Sequence, residues 1–216
     1  MKRTKAQKVL AAVLSLTMIL GTGIMANAAT STKKTTASKS ATTVASESTT
    51  TSVVTTTPTT SSVAGVKSTV AGAYSAKSVN GIAVTTPLAD LTKALGLTGN
   101  QKPYLIAMDT DKTKSTAAMA SLEGACEAIN GTMGPVINLN LGVRDGVVFR
   151  TLTDSDATVE MVIGIPKDFQ EAGAKYAVIG VRYGGELTLY ENKTDSTSTV
   201  TFDMEAGLGT YAIVKY

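Results

Sequence analysis

The chain has no histidine among its 216 residues, which removes several common classes of secreted enzyme. Histidine is the general base of Ser-His-Asp hydrolases and of Cys-His proteases, and it is a frequent protein ligand of catalytic zinc. We therefore expect no His-dependent hydrolysis and no His-rich zinc centre. The sequence also predicts no cofactor.

Cysteine is almost absent as well, since Cys126 is the single example. One cysteine cannot form an intramolecular disulfide bond. Cys126 lies at helical spacing with Leu122 and Ile129, and this setting favours a buried structural thiol over a reactive nucleophile.

Aromatic residues are few: the chain has no tryptophan, three phenylalanines and seven tyrosines. Ligand pockets are commonly lined by aromatic side chains, so this scarcity weakens the hypothesis of a sugar-cleaving enzyme. Tyr183 and Tyr190 lie near a Gly-Gly pair in one predicted hairpin. They are the candidate ligand-binding residues.

Residues 1–28 have the three regions of a secretory signal peptide. Four basic residues occur among the first eight, the apolar run "VLAAVLSLTMIL" follows, and the small residues "ANA" end at Ala28. The alternative is a membrane anchor, but the run is shorter than the ~20 residues that cross a bilayer. We expect cleavage after Ala28, a secreted protein, and no membrane contact after cleavage. Retention at the cell wall would have to be non-covalent, and release from the cell is the alternative.

Residues 29–66 are rich in serine and threonine. From Thr30 to Ser62, 22 of the 33 residues are Ser or Thr, and none is aromatic. Such a segment has too little apolar surface to offset the chain entropy that is lost on ordering. The composition predicts a disordered linker, either an O-glycosylated stalk or an unmodified spacer.

The formal net charge of +3 does not describe the predicted globular domain, residues 67–216. That range contains 13 basic groups against 16 acidic groups, a balance of −3. Proteins that bind nucleic acids usually present a basic face on the folded domain. The charge distribution therefore argues against DNA or RNA as a partner.

The predicted domain is long enough for one compact core. A helix is predicted over "STAAMASLEGACEAING", where apolar residues recur at helical spacing after a candidate N-cap at Ser115. A shorter helix is predicted in "TPLADLTKALGL", with Leu88, Leu91 and Leu95 on one face. The apolar stretch "KPYLIAMDTD" between the two helices predicts a buried strand.

The rest of the domain alternates apolar and polar residues, as β-strands do. "VINLNLGV" and "VVFRTL" meet at Asp145-Gly146 and predict a hairpin. "TVEMVIGIP" predicts a strand that ends at Pro166. "KYAVIGVRY" and "ELTLYE" predict a second hairpin, and "TVTFDM" with "TYAIVKY" predicts a last pair. The fold class that follows is mainly β (α+β), an antiparallel β-sandwich with one packed α-helix.

Three stretches, "IGIPKDF", "GAKYAVIGVRYGGELTLYE" and "STVTFDMEAGLGTYAIVKY", resemble the closing part of Ig-like β-modules in secreted and surface proteins of Gram-positive anaerobes. "PLADLTKALGLTGNQKPYLIAMDTDKTKS" and "AAMASLEGACEAINGTMGP" are also similar to uncharacterised exported proteins of that group. The resemblance implies an Ig-like sandwich and an extracellular location, and it carries over no catalytic residue. The inserted helix departs from simple Ig-like repeats.

Glycoside hydrolysis by paired carboxylates is the enzymatic alternative that the sequence leaves open, because that mechanism needs no histidine. Acids of this kind are also typical of turns and of exposed helix faces. The candidate carboxylates are Asp109, Asp111, Glu123, Glu127, Asp154, Asp156 and Glu160.

The segment "DTDKTKSTAAMA" places oxygen-bearing residues at alternating positions, beginning with Asp109 and Asp111, as a calcium-binding loop does. Lys114 stands where an EF-hand loop needs glycine, and Ala120 stands where a bidentate glutamate completes the coordination. We therefore predict a turn before the helix and no metal site.

The function predicted from these observations is a secreted, non-catalytic surface or adhesion module on a Ser/Thr-rich stalk. Its predicted partner is a cell-wall glycan or a surface protein. Two other classes stay open. One is a small carbohydrate-active enzyme that uses paired acids, and the other is a structural subunit that assembles through its terminal strand.

Overall fold

The computed structural model describes residues 51–53, 57–153 and 155–216. The predicted signal peptide, residues 1–28, lies outside the described residues. The elements, in chain order within each type, are β1 (Thr51–Val53), β2 (Ser62–Val63), β3 (Val66–Lys67), β4 (Gly72–Tyr74), β5 (Ile82–Val84), β6 (Lys102–Asp109), β7 (Thr132–Asp145), β8 (Val148–Arg150), β9 (Thr158–Gly164), β10 (Tyr176–Arg182), β11 (Leu187–Glu191), β12 (Thr199–Glu205), β13 (Gly207–Lys215), α1 (Leu88–Ala94) and α2 (Thr116–Ala128).

Most of these strands belong to two antiparallel sheets. The large sheet has the order β1-β8-β7-β13-β10-β11, and β6 joins it by pairing with β7. β4 adds to β6 in parallel. The small sheet has the order β12-β9-β5, and β2 and β3 form a separate hairpin. The protein is therefore mainly β, with antiparallel sheets.

The inner faces of the two sheets share one apolar core. Ile137, Leu139 and Leu141 of β7 are 0 % exposed, as the period-2 alternation predicts. Met161 and Phe202 of the small sheet belong to the same buried cluster. Burial of this surface, at roughly 25 cal/mol per Å², is the main stabilising contribution to the fold.

The outer face of the large sheet is partly covered by α2. Met119, Leu122 and Cys126 of α2 pack in a second buried cluster with sheet residues. Along β10, Val178 faces the inner core, whereas Ile179 faces the helix. The predicted packing of one helix on the sheet is confirmed, and so is the burial of Cys126, which is 4 % exposed.

Both predicted helices are present, with differences in detail. α2 begins after Ser115, but the Ser115 side chain makes no capping hydrogen bond. In α1, Leu91 is fully buried and Leu88 is 47 % exposed, so the predicted leucine face is only partly buried. Within the described part of the chain, no helix is long and apolar enough to cross a membrane.

Two predicted hairpins are confirmed. β7 and β8 are joined at Gly146, where φ is +59°. β10 and β11 are joined by a 3-10 turn, Tyr183–Gly185, in which Gly184 and Gly185 have φ of +86° and +83°. Glycine adopts this left-handed conformation without the steric cost that a Cβ brings.

The predicted pairing of the last two strands with each other is wrong. β12 pairs with β9 in the small sheet, whereas β13 lies between β7 and β10 in the large sheet. The chain crosses between the sheets at Ala206 and Gly207, and Gly207 has φ of +123°. A Cβ at Gly207 would lie 2.7 Å from the carbonyl oxygen of Leu152, so glycine is required there. Alternation along a strand indicates a buried face and does not identify the sheet.

Strands are present before residue 67, the first residue after the predicted linker. β1 pairs with β8, and β2 contains Val63, which is 3 % exposed. Val63 packs with Ala83 and Val162. Threonine and valine favour strands, so the Ser/Thr-rich composition did not exclude them here. Residues 29–50 and 54–56 of the predicted linker lie outside the described residues.

Candidate functional site

A cavity of about 430 Å³ opens on the outer face of the large sheet, at the N-terminal end of α2. We call it the α2 groove. β7 and β13 form its floor, β6 and β10 form its walls, and the first turn of α2 closes one end. Its lining residues are Ile106, Met108, Ser115, Ala118, Asn138, Asn140, Val181, Arg182, Tyr183, Leu208, Gly209 and Thr210.

The strand register explains which side chains reach the groove. Asn138 of β7 lies opposite Thr210 of β13 on one side and opposite Met108 of β6 on the other. Asn140 lies opposite Leu208 in the next row. Alternate residues of a strand point to the same face of a sheet. Two rows of side chains therefore cross the sheet side by side and form the floor and its edges.

This face changes from apolar to polar where the cover by α2 stops. Ala212 and Val214 of β13 are fully buried in the cluster under α2, whereas Thr210 of the same strand lines the groove. On β7, Val136 belongs to the covered cluster and Asn138 to the groove. The helix thus divides one continuous sheet face into a covered half and an open half.

The polar side chains of the floor make one hydrogen bond to each other and one to a residue outside the floor. Thr210 Oγ1 donates to Asn138 Oδ1 at 2.7 Å, and Asn140 Nδ2 donates to Thr151 Oγ1 at 2.9 Å. Asn140 Oδ1 is buried and has no hydrogen-bond partner among the described residues. An amide oxygen in this state is an acceptor that a hydroxyl or amide of a ligand can satisfy after a small opening of the floor.

Arg182 is the one charged residue among those that line the groove in the described structure. Its Nη1 lies 3.6 Å from Glu186 Oε2 and 3.9 Å from Glu205 Oε2, and its Nη2 donates to the carbonyl oxygen of Ala206 at 3.4 Å. The lining contains no carboxylate. The groove therefore offers neutral donors and acceptors, together with one arginine that already has acidic neighbours.

Tyr183, one of the two predicted ligand-binding residues, stands at the edge of the groove. Its side chain is 76 % exposed and lines both the α2 groove and a neighbouring cavity. The two left-handed glycines that follow it turn the chain sharply and leave the ring without cover. Tyr183 is therefore placed to contact a ligand in the groove.

Tyr190, the other predicted residue, belongs to the core and not to an exposed pair with Tyr183. It is 7 % exposed, its ring centroid lies 5.3 Å from that of Phe202, and its hydroxyl donates to Glu205 Oε2 at 2.7 Å. Burial, followed by this hydrogen bond, raises the pKa of Tyr190 above its usual value. The prediction is corrected because Tyr190 lies opposite Val178 in the register, on the inner face of the sheet.

The neighbouring cavity, of about 330 Å³, is lined by two carboxylates, and we call it the acidic cavity. Asp156 and Glu186 line it, and it shares Arg182, Tyr183 and Leu208 with the α2 groove. Two acids around one cavity are what glycoside hydrolysis by paired carboxylates requires. Glu186, however, is already engaged by Arg182.

The remaining candidate acids have structural partners or lie elsewhere on the surface. Asp109 accepts hydrogen bonds from the backbone N–H groups of Lys77 and Ser78, and Asp111 accepts one from the Thr113 hydroxyl. These bonds hold turns. In the described part of the chain, no group of three or more Cys, Asp and Glu side chains is placed to hold a metal ion.

Glu160 binds Lys193, with Nζ to Oε2 at 2.7 Å, and accepts a hydrogen bond from Thr85. Lys193 and then Thr85 hold the pKa of Glu160 below its usual value, the opposite of what a general acid needs. Glu123 and Glu127 are exposed on α2. Asp154 lies outside the described residues.

Sequence reasoning missed the polar floor of the groove. The alternation in "VINLNLGV" indicates a polar face for Asn138 and Asn140, and it does not reveal that other strands and a helix wall this face. A usable signal was present, because asparagine is depleted in strands. Two asparagines at alternate positions of one strand are therefore unusual and indicate a candidate site. Thr210 carries no comparable signal.

Comparison with protein-family models, with curated proteins and with solved structures gave no match to this chain. The assignment of the site therefore rests on its geometry.

Proposed function

We propose that the protein is a secreted, non-catalytic binding module of the cell surface, and that the α2 groove binds a neutral, polyhydroxylated ligand such as a cell-wall glycan. The observation that carries this proposal is the floor of Asn138, Asn140 and Thr210. Side-chain amides and hydroxyls both donate and accept, as sugar hydroxyls do. Tyr183 adds an exposed ring at the edge, where it can pack on the apolar face of a sugar.

The remaining parts of the proposal concern fold and location. An Ig-like β-sandwich is supported by the packing of two antiparallel sheets around one core and by the position of β12 and β13 in opposite sheets. In this proposal α2 is an addition to the outer face. Secretion and display on a stalk rest on the sequence patterns of residues 1–28 and 29–66.

The test is co-sedimentation of the purified chain, residues 29–216, with isolated Gram-positive cell walls, followed by calorimetry with soluble neutral wall fragments. We expect binding that Tyr183→Ala and Asn138→Ala each weaken by about tenfold, the equivalent of about 1.4 kcal/mol. Tyr216→Ala is the matched control, because Tyr216 is 47 % exposed and follows the far end of β13. Absence of binding, or equal weakening by the control, would reject the proposal.

The charge of the groove gives this proposal a second readout. Its lining has no carboxylate, and the chain has no histidine, the side chain that ordinarily changes charge between about pH 5 and pH 8. Affinity for a neutral glycan should be constant over that range. A bell-shaped or stepwise dependence over that range would count against this assignment of the ligand.

The acidic cavity keeps a second function, glycoside hydrolysis, as a candidate. Asp156 and Glu186 would be the paired acids. Incubation of the chain with wall glycans, followed by analysis of reducing ends, tests it. Activity that Asp156→Asn and Glu186→Gln both abolish would favour the enzyme over the binding module. A subunit that assembles through its terminal strand has less support, since β13 already has strand partners on both edges.

A further inference from the structure

The strand β11 forms one edge of the large sheet and is open for pairing. It pairs with β10 through the register Ala177↔Glu191 to Val181↔Leu187. In the described residues, no strand pairs with its other edge. The backbone N–H and C=O groups on that edge therefore lack a ladder partner. Such groups are a template for an additional strand.

The side chains of β11 make this edge apolar on the outer face. Leu187 and Leu189 are each 46 % exposed. They lie opposite Val181 and Ile179, which are buried in the cluster under α2. The two leucines thus extend the covered apolar face by one strand, which α2 contacts but leaves half-exposed.

Three common forms of edge protection are missing from β11. Exposed edges are commonly guarded by lysine, by proline or by a bulge. The sequence "LTLYE" contains neither lysine nor proline, and its register with β10 runs without a shift.

The charges beside this edge include two basic residues, Arg182 and Lys193, and both are already paired with acids. The charged residues of α2 and β11 are Glu123, Glu127 and Glu191, and Glu186 directly precedes β11. In the described structure, Glu123, Glu127 and Glu191 take part in none of the ion pairs. A second copy of this chain would bring like charges together. A basic segment would be attracted.

We propose that β11 receives an extended, basic segment of a partner protein, which adds to the large sheet as a further strand. Backbone hydrogen bonds would give affinity, as in other cases of strand addition. Apolar residues at alternate positions of the segment would pack beside Leu187 and Leu189. Lysine or arginine at one end would meet Glu191, and at the other end it would share Glu186 with Arg182, which lies 3.6 Å from that carboxylate. No residue of β11 lines the α2 groove, so this proposal does not depend on the ligand of the groove.

The probe is a labelled seven-residue peptide with lysine at both ends, valine at its third and fifth positions and threonine elsewhere, titrated into the chain 29–216 and followed by fluorescence anisotropy. We expect saturable binding that weakens by about tenfold or more when salt is raised from about 0.05 M to 0.5 M, because salt screens the charge attraction. Hydrogen exchange should show new protection of the β11 amides on binding.

Two altered peptides separate strand addition from simple charge attraction. A peptide with N-methyl groups on alternate backbone nitrogens keeps its charge and loses the donors of one edge. A second peptide replaces both lysines with glutamates. We expect neither to bind. Equal binding by the methylated peptide, by the acidic peptide, or absence of binding by the basic one would overturn the proposal.

Variants of the protein locate the site. Leu187→Thr with Leu189→Thr should lower the affinity for the basic peptide at least about fivefold. Leu88→Thr, at an equally exposed leucine of α1, is the control and should leave the affinity unchanged. Glu191→Gln should lower the affinity for the basic peptide at low salt only. Concentration-dependent dimers that exclude the peptide would assign this edge to a second copy and reject the proposal.

Discussion

The outer face of the large sheet has a covered half and an open half, and both are built on the same strands. Under α2, β13 contributes Ala212 and Val214, and both are fully buried. A few residues away on the same strand and face, Thr210 and Leu208 line the α2 groove. The strand pairing continues through both halves.

The difference shows that the layer above a strand decides which side chains the strand carries. The ladder of backbone hydrogen bonds is satisfied in both halves, so it does not select residue type. Cover by a helix selects apolar side chains, and absence of cover permits amides and hydroxyls. Stability is therefore expected to depend on the covered half, and ligand binding on the open half.

The largest expected effect is in the covered half, at Leu122. Its side chain is 0 % exposed between α2 and the sheet. Leu122→Ala should lower the free energy of unfolding by about 2–5 kcal/mol, since it removes buried methyl groups and leaves a cavity. Urea denaturation measures this change. A loss below about 1 kcal/mol would mean that α2 contributes little to the fold.

The next-largest expected effect is a difference in thiol reactivity between the covered half and the open half. Cys126 is 4 % exposed, and burial, followed by the charge of Glu127, raises the pKa of its thiol. The thiolate is the reactive form. A cysteine at the 43 % exposed position Met108, made as Met108→Cys with Cys126→Ala, should react with a thiol reagent on the order of 100-fold faster.

The matched comparison is the unmodified chain, whose single thiol is Cys126. Both proteins should react at similar rates in denaturant, where the environments become alike. Equal native rates would show that α2 detaches easily and that the two halves do not differ in solution.

A smaller effect on stability is expected when the open half is made to resemble the covered half. Asn138→Val with Asn140→Val replaces the polar floor by apolar side chains. The free energy of unfolding should change by no more than about 1 kcal/mol, because the unpartnered Asn140 Oδ1 is removed together with two hydrogen bonds. Glycan binding should fall by more than tenfold, the combined loss of two side-chain contacts.

A loss of more than about 2 kcal/mol in this double variant would contradict the comparison. It would mean that the amides hold the sheet together and are not reserved for a ligand.

The sequence predicts the strands and helices of this protein better than it predicts their partners. Met161 and Ile163 alternate clearly, and both are fully buried in β9. The same alternation in the last two strands led to a hairpin that does not form. Local patterns depend on the face that a strand buries, while sheet membership depends on long-range packing and on the crossing at Gly207.

The candidate site was accessible to sequence reasoning only in part. Tyr183 is exposed because of the glycine turn, and its position beside that turn was predictable. Tyr190, seven residues later, is buried because the strand register turns it inward. The floor needs residues from β7 and β13, which lie about 70 positions apart in the chain and meet only in the folded sheet.

The smallest expected effect concerns an exposed polar network, which should contribute to stability as little as the open half does. Lys193 Nζ lies 2.7 Å from both Glu160 Oε2 and Asp203 Oδ1. The three side chains are 41 %, 39 % and 44 % exposed, so solvent screens the attraction. Lys193→Met should lower the free energy of unfolding by about 0.5 kcal/mol at pH 7. Lys167→Met, at an exposed lysine outside the ion pairs of the described residues, is the control.

The contribution of Lys193 and its two acidic partners to stability should be lost at low pH and at high pH. Lys193, and then Thr85, lowers the pKa of Glu160, so this contribution is present above the unfolded pKa and is lost as pH falls through the lower folded value. Asp203, and then Glu160, raises the pKa of Lys193, so that contribution is present below the unfolded pKa and is lost as pH rises through the raised folded value. Urea denaturation should therefore show the difference between Lys193→Met and the unmodified chain from about pH 5 to pH 9, and none near pH 2. A difference that exceeds about 2 kcal/mol at pH 7 would mean that surface polar contacts stabilise this fold as strongly as the cover by α2 does. A difference that persists in 1 M salt would mean that charge attraction is not its origin.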